Sequence, residues 1–420
     1  MAAYFCLNRL GIRGKHNEMN PPYCKIDMRC PRCGAPVVLD ETECIVQCGF
    51  CKTRHVLHTE PFPSYYLEPG SNRPRASELL FVPYWRLRGM EFCFNGPEPV
   101  CRVMDHSCPA VDGTGLPVSL GLRTQTRPLK FIRKGLDGIF TVPDISKQAA
   151  LDQMSGANGD KTYIGEILSL IFMPFYRDGS RMVDGLSGQV MDMVMPDLAA
   201  DKTFPAHPLS FTPCLCPDCG WDLDGRTDSL VLSCKNCTSF WLIREKTLNR
   251  LSAVFSGLEP DPAVLLPFWR LQTGFSRATW STHADLMRLA NVPRQVTRDQ
   301  EKQVLEFYIP AFRIAPKLFL RLAKQITLAP PALGRAEKIP KTALYPVTLS
   351  LDEGLQAVLP VLRTLVIPKK ETLEILKTEK LTLTAFSLAY LSFQASGNDY
   401  VQGEAGIGFQ KNALHAGNNS

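Results

Sequence analysis

The sequence has few features that would point to a membrane segment or to a catalysed reaction. Its longest apolar run, near Ile167 to Phe175, is far too short to cross a bilayer. The segment from Met1 to Cys6 lacks the apolar stretch and the cleavage site of a signal peptide. The chain has no phosphate-binding loop, no His-Glu-x-x-His motif and no Gly-x-Ser-x-Gly motif, and its seven histidines occur singly. We therefore expect a cytoplasmic protein that is not an enzyme.

The composition indicates an ordinary folded chain with many short strands. The 420 residues are 45% apolar, and the 33 prolines and 29 glycines are spread along the whole length. The formal net charge of +6 is a mild excess that by itself does not indicate a nucleic-acid module. Eight of the fifteen cysteines have metal-binding spacing, which fits a reducing compartment better than a disulfide framework.

Two cysteine quartets of identical spacing are the strongest signal in the sequence. Each consists of two C-x-x-C pairs separated by fourteen residues, and each first pair is followed by glycine. The quartets are Cys30, Cys33, Cys48 and Cys51, and Cys216, Cys219, Cys234 and Cys237. Four thiolates on two tight turns make a closed tetrahedral site, so we predict two structural zinc ions. A rubredoxin-type iron centre and redox-active C-x-x-C pairs are the alternatives.

The repeat extends beyond the cysteines. Trp85 and Trp269 follow the two quartets at nearly the same distance, and Gly179 and Gly397 end two further similar segments. A weaker echo relates Leu122-Arg123 to Phe312-Arg313. The offset between the halves is 184 at the tryptophans and 218 at the glycines, which predicts an insertion around residues 327–380. A repeat of this length indicates two copies of one domain.

The predicted fold class is mainly β (α+β), a tandem duplication of a four-cysteine zinc ribbon and a β-rich domain with few helices. The predicted units are a loose extension (1–27), ribbon 1 (28–60), β-rich domain 1 (75–200), ribbon 2 (210–245) and β-rich domain 2 (260–412). Apolar periodicity predicts a helix over 317–326, and a Ser350–Glu353 capping box starts another that Pro360 should disturb. Residues 161–172 fit either a strand or a helix.

A pattern of proline, two aromatic positions and arginine recurs along the chain. It begins at Pro83, Pro174 and Pro267, with a degenerate form at Pro310. A basic and aromatic binding surface is one interpretation. A core strand, repeated because the domain is repeated, is the interpretation that we favour, since large aromatic residues are mostly buried.

The Cys-Pro-x-Cys-Gly ribbon followed by this strand resembles poorly characterised bacterial proteins with a transcription factor IIB-type zinc ribbon, often labelled after the ribbon of the primosomal helicase. The similarity to the helicase covers only the ribbons, because the chain has no nucleotide-binding motif. The resemblance implies a bacterial zinc-binding protein and supplies no catalytic residues.

Several other cysteines and histidines are candidate sites. Cys93, Cys101, His106 and Cys108 could form a third metal site, although their spacing is irregular and has no counterpart in the second half. We interpret Cys44 and Cys214 as bystanders beside the quartets, and His55 and His58 as surface residues.

The leading hypothesis is a scaffold or adaptor that binds another protein. The alternative is a nucleic-acid-binding protein linked to transcription or replication, whose contacts would be the basic residues of Arg123–Lys134 and Lys317–Lys324. An enzyme with a pocket between the β-rich domains is the third hypothesis.

Overall fold

A computed structural model describes residues 23–59, 61–71, 78–95, 98–112, 115–121, 123–133, 135–155, 161–178, 181–191, 200–201, 209–257, 262–293, 295–335, 339–340, 342–366 and 370–416. The described part consists mainly of strands with few helices, and two four-cysteine groups fit two tandem ribbons. The chain is therefore a mainly β, α+β protein.

The described part of the first half contains thirteen strands and two helices. They are β1 (Lys25–Arg29), β2 (Pro36–Asp40), β3 (Ile45–Gln47), β4 (Arg54–His58), β5 (Ser64–Leu67), β6 (Glu78–Cys93), β7 (Val100–Pro109), α1 (Arg123–Thr126), β8 (Leu129–Phe131), β9 (Ile139–Thr141), α2 (Lys147–Ser155), β10 (Lys161–Asp178), β11 (Arg181–Asp184), β12 (Val190–Met191) and β13 (Ala200–Asp201). One large sheet runs β13-β9-β6-β10-β5-β8-β1-β2, with β7 beside β6, β11 beside β10 and β12 beside β11.

The second half contains the remaining strands and helices. They are β14 (Ser210–Pro213), β15 (Val231–Ser233), β16 (Phe240–Arg244), β17 (Thr247–Leu251), β18 (Ala253–Phe255), β19 (Val264–Phe275), α3 (His283–Leu289), α4 (Arg298–Lys302), β20 (Phe307–Pro310), α5 (Pro316–Leu328), α6 (Leu351–Leu365), α7 (Lys370–Thr378), β21 (Leu381–Ser396), β22 (Asp399–Gln402), β23 (Ile407–Gln410) and α8 (Asn412–Ala416). The main sheet runs β20-β19-β21-β22-β23, with β18 beside β21.

Both halves are built around the same pair of long antiparallel strands. In the first half β6 pairs with β10, and Trp85 lies opposite Leu170. In the second half β19 pairs with β21, and Trp269 lies opposite Leu388. A short parallel strand flanks each pair, β5 beside β10 and β18 beside β21. The duplicated unit therefore includes the strand order as well as the cysteines.

Equivalent hydrogen bonds hold the tryptophan of each half. The Trp85 indole donates to the carbonyl of Ile145 at 2.8 Å, and the Trp269 indole donates to the carbonyl of Leu349 at 2.9 Å. In each half the residue after this carbonyl is a serine, Ser146 or Ser350, whose hydroxyl accepts from the backbone three residues later at the start of a helix. Helices α2 and α6 are thus counterparts.

The predicted equivalence of Leu122-Arg123 and Phe312-Arg313 in the two halves is wrong. Pro109 lies opposite Tyr84, and Pro310 lies opposite Phe268, the residue before each tryptophan. The partner of the Pro310–Arg313 segment is therefore Pro109–Asp112, which sequence comparison missed because only its first two residues are the same.

The extra length of the second half is not confined to residues 327–380. Strands β6 and β7 join in a hairpin, whereas the connection from β19 to β20 carries α3 and α4. A second part of the extra length lies between α6 and β21, where α7 is found. The sequence comparison gave the offset between the halves only at the tryptophans and at the final glycines, so it could not show that two separate insertions lie between them. Gly179 itself lies outside the described residues.

The predicted helix starts are confirmed, whereas the predicted effect of Pro360 is not. The helix expected over 317–326 is α5, and Leu322 and Ile326 are buried on it. The predicted capping box starts α6 at Ser350. Pro360 does not end the helix there, because α6 continues to Leu365 with the proline buried inside it. The ambiguous segment 161–172 is part of strand β10.

The folded part begins before the predicted start of ribbon 1. Residues 1–22 of the predicted loose extension lie outside the described residues. Strand β1 already starts at Lys25, and Cys24 and Ile26 are each 2% exposed. Ile26 belongs to the core because β1 pairs with β2 and β8 in the main sheet.

The recurrent proline–aromatic–arginine strand is a core strand. Trp85 and Trp269 are buried. Arg86 is buried too and pairs with Glu41 and Asp105, whereas Arg270 pairs with Glu306. The burial of both tryptophans agrees with the core interpretation of the pattern.

In the described part of the chain, no helix combines the length and the apolar character needed to cross a membrane.

Candidate metal centres

The structure brings the four sulfurs of each quartet together. In the first quartet the Sγ atoms of Cys30 and Cys51 lie 3.7 Å apart, and those of Cys33 and Cys48 lie 3.6 Å apart. In the second quartet both corresponding distances are 3.5 Å. All four sulfurs of each group lie within 4.8 Å of one another. We call these groups cluster 1 and cluster 2.

The backbone of each knuckle explains this convergence. Gly34 and Gly220, which follow the first C-x-x-C pairs, have φ angles of 74° and 72°. Their amides donate to the carbonyls of Cys30 and Cys216. The positions after the second pairs hold Lys52 and Thr238, which adopt the same left-handed conformation at φ angles of 60° and 58°. Glycine takes this conformation without a steric cost, whereas lysine and threonine pay one. The four knuckles therefore share one turn geometry.

The sulfur spacing fits a tetrahedral metal ion. Metal–sulfur bonds of about 2.3 Å in a tetrahedron place the sulfurs roughly 3.8 Å apart. The observed distances of 3.5 to 3.7 Å are close to that value. Each cluster could thus hold one metal ion with four protein ligands, which leaves no coordination position for a substrate.

Neighbouring polar groups favour the thiolate form that metal binding requires. The Thr53 hydroxyl lies 3.0 Å from the Cys51 sulfur, and this contact lowers the pKa of the Cys51 thiol to about 6. A hydrogen bond from the Asn236 side chain lowers the pKa of Cys219 in cluster 2. These contacts favour the thiolate, the form that binds a metal, at Cys51 and Cys219, whereas burial raises the pKa of Cys234 to about 12, so metal binding must displace a proton from that thiol.

The two ribbons pack against each other. Strand β14, which leads into ribbon 2, pairs with β4 of ribbon 1 and extends its β3–β4 sheet. The Arg54 guanidinium donates to the carbonyls of Leu223, at 2.9 Å, and of Gly225 in ribbon 2. A buried apolar cluster spans the contact, with Ile45, Val56, Cys214, Cys216, Leu223, Leu232, Cys234 and Trp241. The ribbons therefore form one interlocked module.

Cys44 and Cys214, the predicted bystanders, are part of this contact. Burial raises the pKa of Cys44 to about 12 and that of Cys214 to about 11, so both remain neutral thiols. The Cys44 thiol donates to the carbonyl of Ser229, and its amide donates to Thr227. These cysteines pack between the ribbons and are not metal ligands.

The outer faces of the ribbons carry exposed aromatic residues that sequence reasoning did not single out. Phe50, between the two cysteines of a knuckle in ribbon 1, is 79% exposed. Trp221, next to a knuckle of ribbon 2, is 61% exposed, and Leu215 is 47% exposed. An aromatic residue at a non-ligand position of a knuckle is the sequence signal that could have identified them.

The predicted third metal site is not assembled. On β7, Cys101 lies opposite Phe92 and Cys108 lies opposite Trp85, far along the strand from each other. Among the described residues, only the two cysteine quartets form a group of His, Cys, Asp or Glu side chains able to hold a metal ion. Of the predicted surface histidines, His58 is 5% exposed and lies 3.0 Å from the Thr212 hydroxyl of β14.

The basic residues expected to contact nucleic acid are partly engaged inside the protein. Arg123 pairs with Asp184, and Lys130 pairs with Glu68. Arg321 and Lys324 donate to backbone carbonyls. These side chains therefore offer less free positive charge than their number in the sequence indicates.

No family model, curated protein or solved structure matches the chain.

Proposed function

We propose that the chain is a non-enzymatic scaffold in which two structural zinc ions hold an interlocked pair of ribbons, and which binds another protein. The observation that carries this proposal is the pair of closed four-cysteine clusters within one packed module. A closed site of this kind stabilises a fold and offers no open position for catalysis. Zinc is proposed over iron because four-cysteine ribbons with this knuckle spacing are typical of structural zinc.

The face of ribbon 2 supports a protein partner. Leu215 forms a β-bridge with Asp222, and the Trp221 carbonyl accepts from the Cys216 amide, so the backbone at the exposed Trp221 is held by the knuckle. Tryptophan is enriched among residues that dominate binding energy at protein interfaces. The exposed Trp221, on a backbone that the knuckle holds, is therefore the contact that we assign to the partner.

Metal content tests the first half of the proposal. Full-length protein purified without added metal should contain two zinc ions per chain by elemental analysis, and a chelator should release both with loss of native structure. Iron in the clusters, or retention of the native fold after complete metal removal, would contradict it.

Affinity purification of tagged protein from its own host tests the second half. We expect a defined protein in a fixed ratio, and Trp221→Ala should weaken its retention by about tenfold or more. Phe50→Ala, which removes an even more exposed aromatic from ribbon 1, is the matched control and should leave retention unchanged. Equal loss with both variants, or robust turnover of a substrate by the purified protein, would overturn the scaffold proposal.

A further inference from the structure

Ribbon 1 carries a compact basic face around an exposed aromatic ring. Arg32 lies within the first knuckle of cluster 1, and Phe50 and Lys52 lie on the second. The two knuckles meet at one metal-binding group, so these three exposed side chains project from adjoining turns. Arg29, also exposed, precedes the first knuckle and donates to the Gly34 carbonyl. We call these four residues the basic knuckle face.

No acidic residue of the described part of ribbon 1 lies on the segments that form this face. Residues 28–39 and 45–59 of ribbon 1 contain no aspartate or glutamate. The acidic residues of the loop between them are engaged elsewhere. Asp40 pairs with Lys25, Glu41 pairs with the buried Arg86, and Glu43 accepts from Thr227 of ribbon 2. Within the described part of ribbon 1, no carboxylate therefore offsets the positive charge of the basic knuckle face.

Ribbon 2 shows that a metal cluster does not by itself require such a face. Four thiolates around a divalent ion carry the same net negative charge in both ribbons, so nearby cations would stabilise the two clusters equally. In ribbon 2, however, Lys235 pairs with Asp224 at 2.6 Å, and Arg250 pairs with Asp218 at 2.9 Å. The two ribbons share a fold and differ in the charge around their exposed aromatic residue.

We propose that the basic knuckle face of ribbon 1 binds single-stranded nucleic acid, with one base stacked on Phe50 and phosphates held by Arg32 and Lys52. An exposed ring flanked by cations that pair with no described carboxylate matches the way proteins hold single strands, in which a base stacks on an aromatic ring and the backbone follows positive charge. A duplex keeps its bases stacked on one another, so it offers Phe50 no free base. An acidic polypeptide would satisfy Arg32 and Lys52 but would leave the ring without a stacking partner.

The test uses full-length, zinc-loaded protein and fluorescein-labelled 12-nucleotide strands of thymidine or uridine, followed by fluorescence anisotropy at low salt. Phe50→Ala should weaken binding about tenfold. Arg32→Gln should flatten the dependence of log affinity on log salt by about 0.7, the contribution of one phosphate contact to a single strand. Trp221→Ala is the matched control and should bind as the parent does. Zinc content measured on each variant shows that the ribbons remain folded.

Three results would overturn the proposal. The first is no measurable binding of either strand at 50 mM salt. The second is an unchanged affinity in Phe50→Ala, or an equal loss in Trp221→Ala. The third is that duplex DNA or polyglutamate binds as tightly as the single strands, since either would mean that charge alone holds the ligand. Tighter binding of one strand than of the other supports the proposal and identifies DNA or RNA as the natural class.

Discussion

A buried arginine and two carboxylates lie beneath ribbon 1, where the ribbon meets the large sheet. The Arg86 guanidinium donates to both oxygens of Glu41, at 2.7 and 2.9 Å, and to Asp105 at 2.6 Å. The Arg86 side chain is 8% exposed and that of Glu41 is 1% exposed. Burying these two charges away from water costs free energy, and the ion pair between Arg86 and Glu41 offsets that cost. The second half repeats the arrangement with Arg270 and Glu306, which indicates that the pair belongs to the duplicated unit.

Replacing Arg86 with methionine should therefore destabilise the protein strongly. The substitution leaves the Glu41 carboxylate buried without its cation, and the expected loss in the free energy of unfolding is about 3–5 kcal/mol. Urea denaturation followed by fluorescence measures it. The control is Arg250→Gln, which removes a surface ion pair with Asp218 and should cost less than about 1 kcal/mol. Similar small losses in both variants would show that Arg86 is not held as described.

His283 should make stability depend on pH. Burial lowers the pKa of this imidazole, which is 4% exposed at the start of α3. The folded state therefore keeps it neutral at pH values where the unfolded chain binds a proton, so its contribution is complete above about pH 6.5 and is lost as the pH falls below that value. The urea midpoint of the parent should drop between pH 7.5 and 5.5 by more than that of His283→Gln. Parallel curves for the two proteins would refute this.

At the scale of elements, the sequence predicted those features that depend only on residues close together in the chain. The cysteine knuckles, the capping box at Ser350 and the apolar face of α5 follow from spacing alone. The continuation of α6 through Pro360 could not be predicted, because the packing that keeps this proline buried involves distant residues. For the same reason the sequence did not predict that β14 pairs with β4. This pairing joins residues more than a hundred positions apart.

At Gly354 on α6, replacement by alanine, which normally stabilises a helix, should destabilise the protein. A Cβ atom at this position would lie 2.9 Å from Cδ1 of the buried Trp269, too close for an undistorted contact. Alanine favours an open helix over glycine by about 1 kcal/mol. Here we expect Gly354→Ala to destabilise the protein instead, by about 1–3 kcal/mol, because the core must shift. Thermal unfolding of this variant and of Gln356→Ala, an exposed position on the same helix, provides the comparison. A rise in Tm for Gly354→Ala would contradict the close packing.

At the scale of the whole molecule, the two halves are joined by more than their ribbons. The distal part of the β6–β7 hairpin reaches the second half, where Phe92 stacks near Phe319 of α5 and belongs to the second half's core. The Arg363 guanidinium of α6 lies over the Phe94 ring. Together with the contacts of Arg54 and β14, these interactions make the halves mutually dependent.

Loss of one metal site should for this reason weaken the other. A Cys219→Ser, Cys234→Ser variant removes two ligands of cluster 2, and its ribbon should lose its fold. β14 pairs with β4 of ribbon 1, and the two ribbons pack together. In protein loaded with zinc, we therefore expect cluster 1 of the variant to release the ion to a chelator at least tenfold faster than in the parent protein. Release is measured with a colorimetric zinc indicator. An unchanged release rate from cluster 1 would show that the halves act independently.

The pairing of β14 with β4 also has a consequence for synthesis of the chain. Strand β4 ends at His58, but the strand that covers its edge starts at Ser210. At about 5–20 residues per second, a ribosome leaves that edge uncovered for roughly 8 to 30 seconds after β4 emerges. An open strand edge invites pairing with other chains. During this interval on the ribosome, cluster 1 is complete and able to bind a metal ion while the sheet of ribbon 1 still lacks β14, so a neighbouring nascent chain could take the place of that strand.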